Sequence, residues 1–186
     1  MKLAYAFCGS FCTHGKALDV LEHMAEKHDI TPVFSEITAT TDTRFGTAME
    51  LYTNVKRICK KEPITTIKEA EEVITRGNFD AVIVAPCTGN TLAKIANGIT
   101  DSTVTMCVKA QLRNRRPVII ALATNDGLSA NLFNIAMTLE KKYIYFTPFG
   151  QDNAYDKPTS LICDFDLIQD TLELAVQGKQ LQPLLL

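Results

Sequence analysis

The sequence predicts an α/β protein, a doubly wound and mainly parallel sheet with helices on both faces. Three observations carry that expectation. Short apolar runs bounded by turn residues alternate with stretches of helical periodicity along the whole chain, without repeats or low-complexity segments. Two of the runs, Asp80–Pro86 and Pro117–Ala123, are apolar at almost every position, the pattern of strands covered on both faces. No linker divides the 186 residues, of which 46% are hydrophobic and 22% charged, so a single domain with one core is expected over 1–186.

Taken in order, Lys2–Cys8 reads as the first strand: it is too short for the apolar region of a secretion signal and runs straight into a glycine turn. Gly15–Lys27 spaces Leu18, Leu21 and Met24 as a helix does, and Thr31–Ser35 is a second strand. Glu36–Arg44 is polar, threonine-rich and short of apolar anchors, so a mobile connection is expected there. Phe45–Lys60 is helical through Met49, Tyr52, Val55 and Cys59, and Thr66-Ile67-Lys68-Glu69 has the spacing of a capping box opening a helix over Ile67–Arg76. Between the two central strands, Thr91–Asn97 and Ser102–Asn114 are helices, and Arg113, Arg115 and Arg116 suit the negative end of the second dipole. Ser129–Lys141 is a further helix and Tyr143–Thr147 a last strand. Residues 148–163 lack periodicity and contain Gly150 and Pro158, which reads as a flexible flap, while 164–186 is a closing helix and an apolar tail that either packs on a neighbour or frays. The outcome is a Rossmann-like sheet of five or six strands, in which ligands bind beyond the carboxyl ends of the strands.

Charge and cysteine content narrow the function classes. Nineteen Lys plus Arg against 21 Asp plus Glu, a net charge of −2, do not make a polyanion-binding surface, so nucleic acid is not expected as a partner. No apolar run approaches the roughly 20 residues that span a bilayer. Six cysteines, mostly inside apolar segments, point to reduced, buried thiols and a cytoplasmic protein. Cys8, Cys12 and His14 do not have the spacing of a zinc site, and no metal is expected.

The chemistry lies at the strand ends. The first strand runs into Cys8-Gly9-Ser10-Phe11-Cys12-Thr13-His14-Gly15-Lys16, where a helix start offers unpaired N–H groups and a positive dipole end to a phosphate. A Walker loop is excluded because Gly9 stands one residue too early and Ala17 carries no hydroxyl. The dinucleotide pattern Gly-x-Gly-x-x-Gly is absent as well, which leaves a monophosphate or, more simply, a tight turn with a hydroxyl cap.

The end of the third strand separates these readings. Pro86-Cys87-Thr88-Gly89-Asn90-Thr91, followed by Ile95-Ala96-Asn97-Gly98-Ile99-Thr100-Asp101, resembles the signature of the FMN-dependent cysteine decarboxylases and, in outline, the flavin prenyltransferases. The similarity covers roughly residues 1–150. It implies that Gly9, Ser10, Phe11 and Ser35 receive the phosphate end of FMN, and that Thr88, Gly89, Asn90 and Thr91 lie along the flavin. Leu122–Ser129 and Asn131-Leu132-Phe133-Asn134 are similar to one branch of that superfamily, the flavoprotein-like subunit of a dipicolinate-forming enzyme of sporulation. Two departures disfavour the other chemistries. Where the decarboxylases have Pro-x-Met-Asn-x-x-Met-Trp, only Asn125 is retained; the chain has no tryptophan, and its histidines, His14, His23 and His28, all precede the second strand. Where the prenyltransferases place a phosphate-holding arginine, Ala123 and Thr124 stand.

The branch implies oxidation of a dihydrodipicolinate-type heterocycle to dipicolinate, together with a separate A component of the synthase that binds NAD(P), in the cytoplasm of a spore-forming mother cell. Aromatisation removes a hydride equivalent and a proton from a ring bearing two carboxylates; flavin or nicotinamide accepts the hydride, and Asp126 or His14 is the candidate proton acceptor. The small dianionic heterocycle calls for donors. Candidates are Asn125, Lys16 and Lys157, with Tyr155 placed to stack on a ring or merely to anchor the flap. Self-association as trimers or their multiples follows from the same resemblance. The alternatives are a non-catalytic flavin-binding or structural module and an FMN-dependent decarboxylase of a cysteinyl substrate.

Overall fold

The computed structural model describes residues 1–186. Strand β1 (Lys2–Phe7) pairs in parallel with β2 (Asp29–Phe34) on one side and β3 (Ala81–Cys87) on the other; β3 pairs with β4 (Val118–Thr124), and β4 with β5 (Ile144–Phe146). Every residue of β3 is buried, as is β1 beyond Lys2, which is why both sequences are unbroken apolar runs. The chain moves outward from β1 to β2, then returns to β3 on the other side of β1. That reversal opens a crevice at the carboxyl ends of β1 and β3, where such sheets bind ligands.

The sheet has seven strands, more than the five or six expected. The segment 148–163, expected as an irregular flap, forms the hairpin β6 (Phe149–Asn153) and β7 (Lys157–Cys163), and β7 pairs antiparallel with β4. Strand β4 changes partner along its length: Val118–Ile120 lie beside β5, and Ala123 and Thr124 face Ile162 and Leu161 of β7. The hairpin escapes a period-based reading because β6 buries only Phe149 fully and its remaining residues are polar or small.

Eight helices flank the sheet. They are α1 (His14–Ala25), α2 (Glu36–Thr40), α3 (Ala48–Cys59), α4 (Ile67–Arg76), α5 (Gly89–Asn97), α6 (Thr103–Arg113), α7 (Leu132–Leu139) and α8 (Ile168–Ala175). The connection expected to be mobile contains α2, which the sequence hides because its supports are polar. Ser35 caps it, and the Glu36 carboxylate accepts from the N–H and hydroxyl of Thr103 at 3.0 and 2.9 Å, pinning α2 to the start of α6. Thr66 caps α4 by accepting from Glu69 N, but the Glu69 carboxylate takes the Thr66 hydroxyl rather than its N–H, so only half of the box forms. Helix α7 starts at Leu132 instead of Ser129 because the Asp126 carbonyl holds the preceding residues in a turn, accepting from Ser129 N and Asn131 N, both at 3.1 Å.

The tail lies on its own chain. Leu184 and Leu186 bracket Phe149 with backbone hydrogen bonds of 3.0 and 3.1 Å, and the Gln180 side chain bonds both N and O of Phe146, so the free edges of β5 and β6 are covered. No helix is long and apolar enough to cross a membrane. Five cysteines are buried thiols, and Cys12, in the loop after β1, is exposed.

Candidate functional site

The loops leaving β1 and β3 lie side by side. Residues Gly9–Thr13 and Thr88–Asn90 border an open cleft of about 530 Å³, closed on one side by Thr124–Asp126 at the end of β4 and on the other by Asp152, Lys157 and Ser160 of the hairpin. The N–H groups of Gly9, Ser10 and Thr88 donate to no backbone carbonyl. Thr88 is the N-cap of α5: its hydroxyl accepts from Thr91 N at 3.2 Å and donates to Thr91 Oγ1 at 3.0 Å, which buries Thr91 and leaves the first N–H groups of the helix, those of Gly89 and Asn90, without intrahelical partners. Unpaired N–H donors at two strand ends and the aromatic rings of Phe11 and Phe45 suit a ligand with an anionic end and a flat ring. On these grounds the residues fit FMN.

The structure gathers most of the expected residues and disperses others. Gly9, Ser10, Phe11, Thr88, Gly89, Asn90, Asn125, Asp126 and Lys157 all border the cleft. Ser35 does not: it is 7% exposed, and its hydroxyl is engaged with Thr38 N and Thr38 Oγ1 as the cap of α2. Lys16 faces a different hollow, beside Gly150, Gln151 and Leu186. Tyr155 sits at the hairpin turn, 97% exposed, and does not border the cleft. The arginines at the end of α6 lie at the amino end of β4, where Arg116 pairs with Asp80 at 3.3 Å.

His14 borders a smaller hollow of about 290 Å³, together with Thr38, Thr41 and Thr43; Phe11 and Phe45 border both spaces. Its Nε2 lies 2.7 Å from the Cys8 carbonyl, so Nε2 carries the proton and donates. Burial pushes its pKa below the ordinary histidine value, with that hydrogen bond acting in the opposite sense. Burial also pushes the Cys8 thiol up to about 11 and raises Cys87 well above the usual thiol range, so neither is a thiolate nucleophile near neutral pH.

Asp126 is held tightly. Its Oδ1 accepts from Thr124 Oγ1 at 2.5 Å and from Asn131 Nδ2 at 2.9 Å. Lys157 is also engaged, its Nζ 2.6 Å from Asp152 Oδ2 across the hairpin. Lys157 is therefore the one side-chain cation bordering the cleft, already paired, and it shares that cleft with two carboxylates, Asp126 and Asp152. Sequence reasoning missed Thr124, Asn131 and Asp152 as site residues. A glycine at the first position of α5 was the available signal for the first two, because it marks a place where other groups approach the backbone closely; Asp152 had none, being one acid among many in an aperiodic segment.

Strand order and cleft define the class: the chain belongs to the Flavoprotein family, whose model matches residues 1–142. Within that class the similarity is specific. The chain is 36% identical over 185 residues to the B subunit of dipicolinate synthase from Bacillus subtilis (strain 168), spanning 99% of this chain and 92% of that protein. The crystal structure of the corresponding B subunit from Bacillus halodurans C matches with a TM-score of 0.91 and 38% identity, covering 100% of this chain and 95% of that one. The FMN-dependent cysteine decarboxylase SpaF shares the fold, with a TM-score of 0.66 at 22% identity over 94% of this chain and 97% of its own. The resemblance read from Pro86–Asp101 is borne out and extends along the whole chain.

Proposed function

We propose that the chain is the B component of a dipicolinate synthase, an FMN-binding protein that acts with a nicotinamide-binding A component to oxidise a dihydrodipicolinate-type precursor to dipicolinate in the cytoplasm of a sporulating mother cell. The observation that carries this reading is near full-length similarity to dipicolinate synthase B subunits combined with a cleft whose donors suit FMN. Gly9, Ser10 and Phe11 would hold the phosphate end, and Thr88, Gly89 and Asn90 the ring, with Thr91 supporting that turn through its bonds to Thr88. When bound, FMN supplies a hydride acceptor.

The charges around the cleft support a two-component enzyme. A dianionic heterocycle left unpaired near Asp126 and Asp152 is costly, and Lys157 is neutralised by its partner, so the A component or a second copy of this chain is the natural source of further cations. Self-association as a homo-oligomer is part of the proposal. Leu132, Phe133 and Leu139 of α7 are 51%, 73% and 39% exposed and offer an apolar face for it. Of the two expected proton acceptors, His14 does not border the cleft and Asp126 has its Oδ1 engaged by two donors, and no base is assigned to this chain.

Mixing the chain with the A component, with and without FMN, and following dipicolinate formation tests the reading. Activity that requires both proteins and is raised by FMN is expected. Full activity of the A component alone overturns the catalytic role. Activity that requires this chain but ignores FMN leaves it a structural module.

A further inference from the structure

We infer that Asp126 is a positioning residue, a strut that sets the Thr88–Asn90 turn against the end of β4; the inference rests on the FMN reading above for its functional consequence. Two donors converge on one of its oxygens, Thr124 Oγ1 at 2.5 Å and Asn131 Nδ2 at 2.9 Å. Asn131 is 5% exposed, and its Oδ1 accepts from Asn134 Nδ2 at 3.0 Å, which ties the cluster to α7. The same three groups crowd the first residue of α5. A Cβ on Gly89 would lie 2.4 Å from Asn131 Nδ2, 2.5 Å from Thr124 Oγ1 and 2.8 Å from Asp126 Oδ1. Only a hydrogen fits there, so the opening of α5 rests directly on the carboxylate cluster.

This geometry suits support. Oδ1 receives both hydrogen bonds at once and so links the end of β4 to the turn before α7. Oδ1 also lies beside Gly89, at the N-terminal end of α5. The Asp126 carbonyl is fixed by Ser129 N and Asn131 N, so the residue has little freedom to swing toward a substrate. Removing the carboxylate would leave Thr124 and Asn131 without their shared acceptor beneath Gly89, and the turn against which a flavin ring would lie would lose its support.

FMN titration of the wild type, Asp126→Asn, Asp126→Ala and Thr124→Val, followed by flavin fluorescence, tests the strut. Asparagine keeps an oxygen that accepts from both donors but is no base; alanine keeps neither property. The expected result is FMN affinity weakened about tenfold or more in Asp126→Ala, restored to within about threefold of wild type in Asp126→Asn, and intermediate in Thr124→Val. In FMN-free protein, amide exchange at residues 89–91 quickens in Asp126→Ala and Thr124→Val while α6 is unchanged, a comparison that Thr124→Val alone still decides if Asp126→Ala does not fold. Unchanged exchange at residues 89–91 overturns the inference. So does dipicolinate formation with the A component that is lost equally in the asparagine and alanine variants while FMN affinity stays intact, since that is the signature of a base. A wild type that takes up no FMN overturns the cofactor reading instead, and the exchange comparison then decides the strut by itself.

Discussion

The floor and the wall of the cleft border the same space, yet different forces hold them. The floor stands on strand ends inside the core: Phe7, Cys87 and Ala123 are 0%, 0% and 5% exposed. The wall is a hairpin whose charged pair, Asp152 and Lys157, is open to water and whose turn residue Tyr155 is almost wholly exposed. Burial fixes where the floor groups stand, because moving any of them opens voids or strands a polar group. The base of the hairpin packs Phe149, Leu161 and Cys163 into the core, but its outer half, beyond a short antiparallel pairing with β4, depends on one exposed ion pair, which contributes little to stability. In the function proposed above, cofactor binding falls to the first kind of structure, and substrate choice and contact with an A component fall to the second.

Perturbing the two regions should give unequal responses. Ile83→Ala, in the fully buried β3, is expected to cost about 3 kcal/mol and lower Tm by roughly 6–12 °C in a thermal melt. A fall no larger than that of a surface variant would mean the floor is not core-built. Gly89→Ala follows, at about 1–3 kcal/mol, because its methyl would meet Thr124, Asn131 and Asp126 well inside contact distance. FMN uptake should weaken with it, and a variant as stable as wild type would show that the cluster has room to spare.

The His14 contribution is smaller and depends on pH. Burial holds its folded-state pKa below the ordinary 6.5, so the unfolded chain takes up a proton that the folded protein refuses. Stability is then complete above about pH 7 and declines as pH falls through the ordinary histidine range toward the folded value. Denaturant midpoints measured across that range should fall for the wild type and flatten for His14→Gln; parallel curves would remove His14 from the account. The smallest effects belong to the wall. Tyr155→Ala and Lys157→Ala should leave Tm unchanged within error, and a drop comparable to that of Gly89→Ala would erase the distinction between the regions.

What the sequence discloses follows the same division. Five strands and most helices are legible in it because burial on both faces writes itself as unbroken apolar runs, most plainly in 80–86 and 117–123. The loop residues from Gly9 to Phe11 and from Thr88 to Asn90 are legible because they follow those runs at once. Helix α2 and the hairpin are not: Glu36 holds α2 through a contact 67 residues away, and β6 has too few buried positions to show a period. Ser35 has the right residue type in the right place, but its hydroxyl is spent on Thr38, a local bond that composition does not reveal. The Asp126 cluster is three-dimensional in the same sense, drawing Thr124, Asn131 and Gly89 together from two loops.

The most direct measurement is a crystal structure of the protein grown with FMN. The account predicts the phosphate against the N–H groups of Gly9 and Ser10 and the isoalloxazine beside Thr88–Asn90, with Asp126 still bonded to Thr124 and Asn131. FMN bound elsewhere on the chain, or this cleft filled by the hairpin with no flavin in it at saturating concentration, would contradict it.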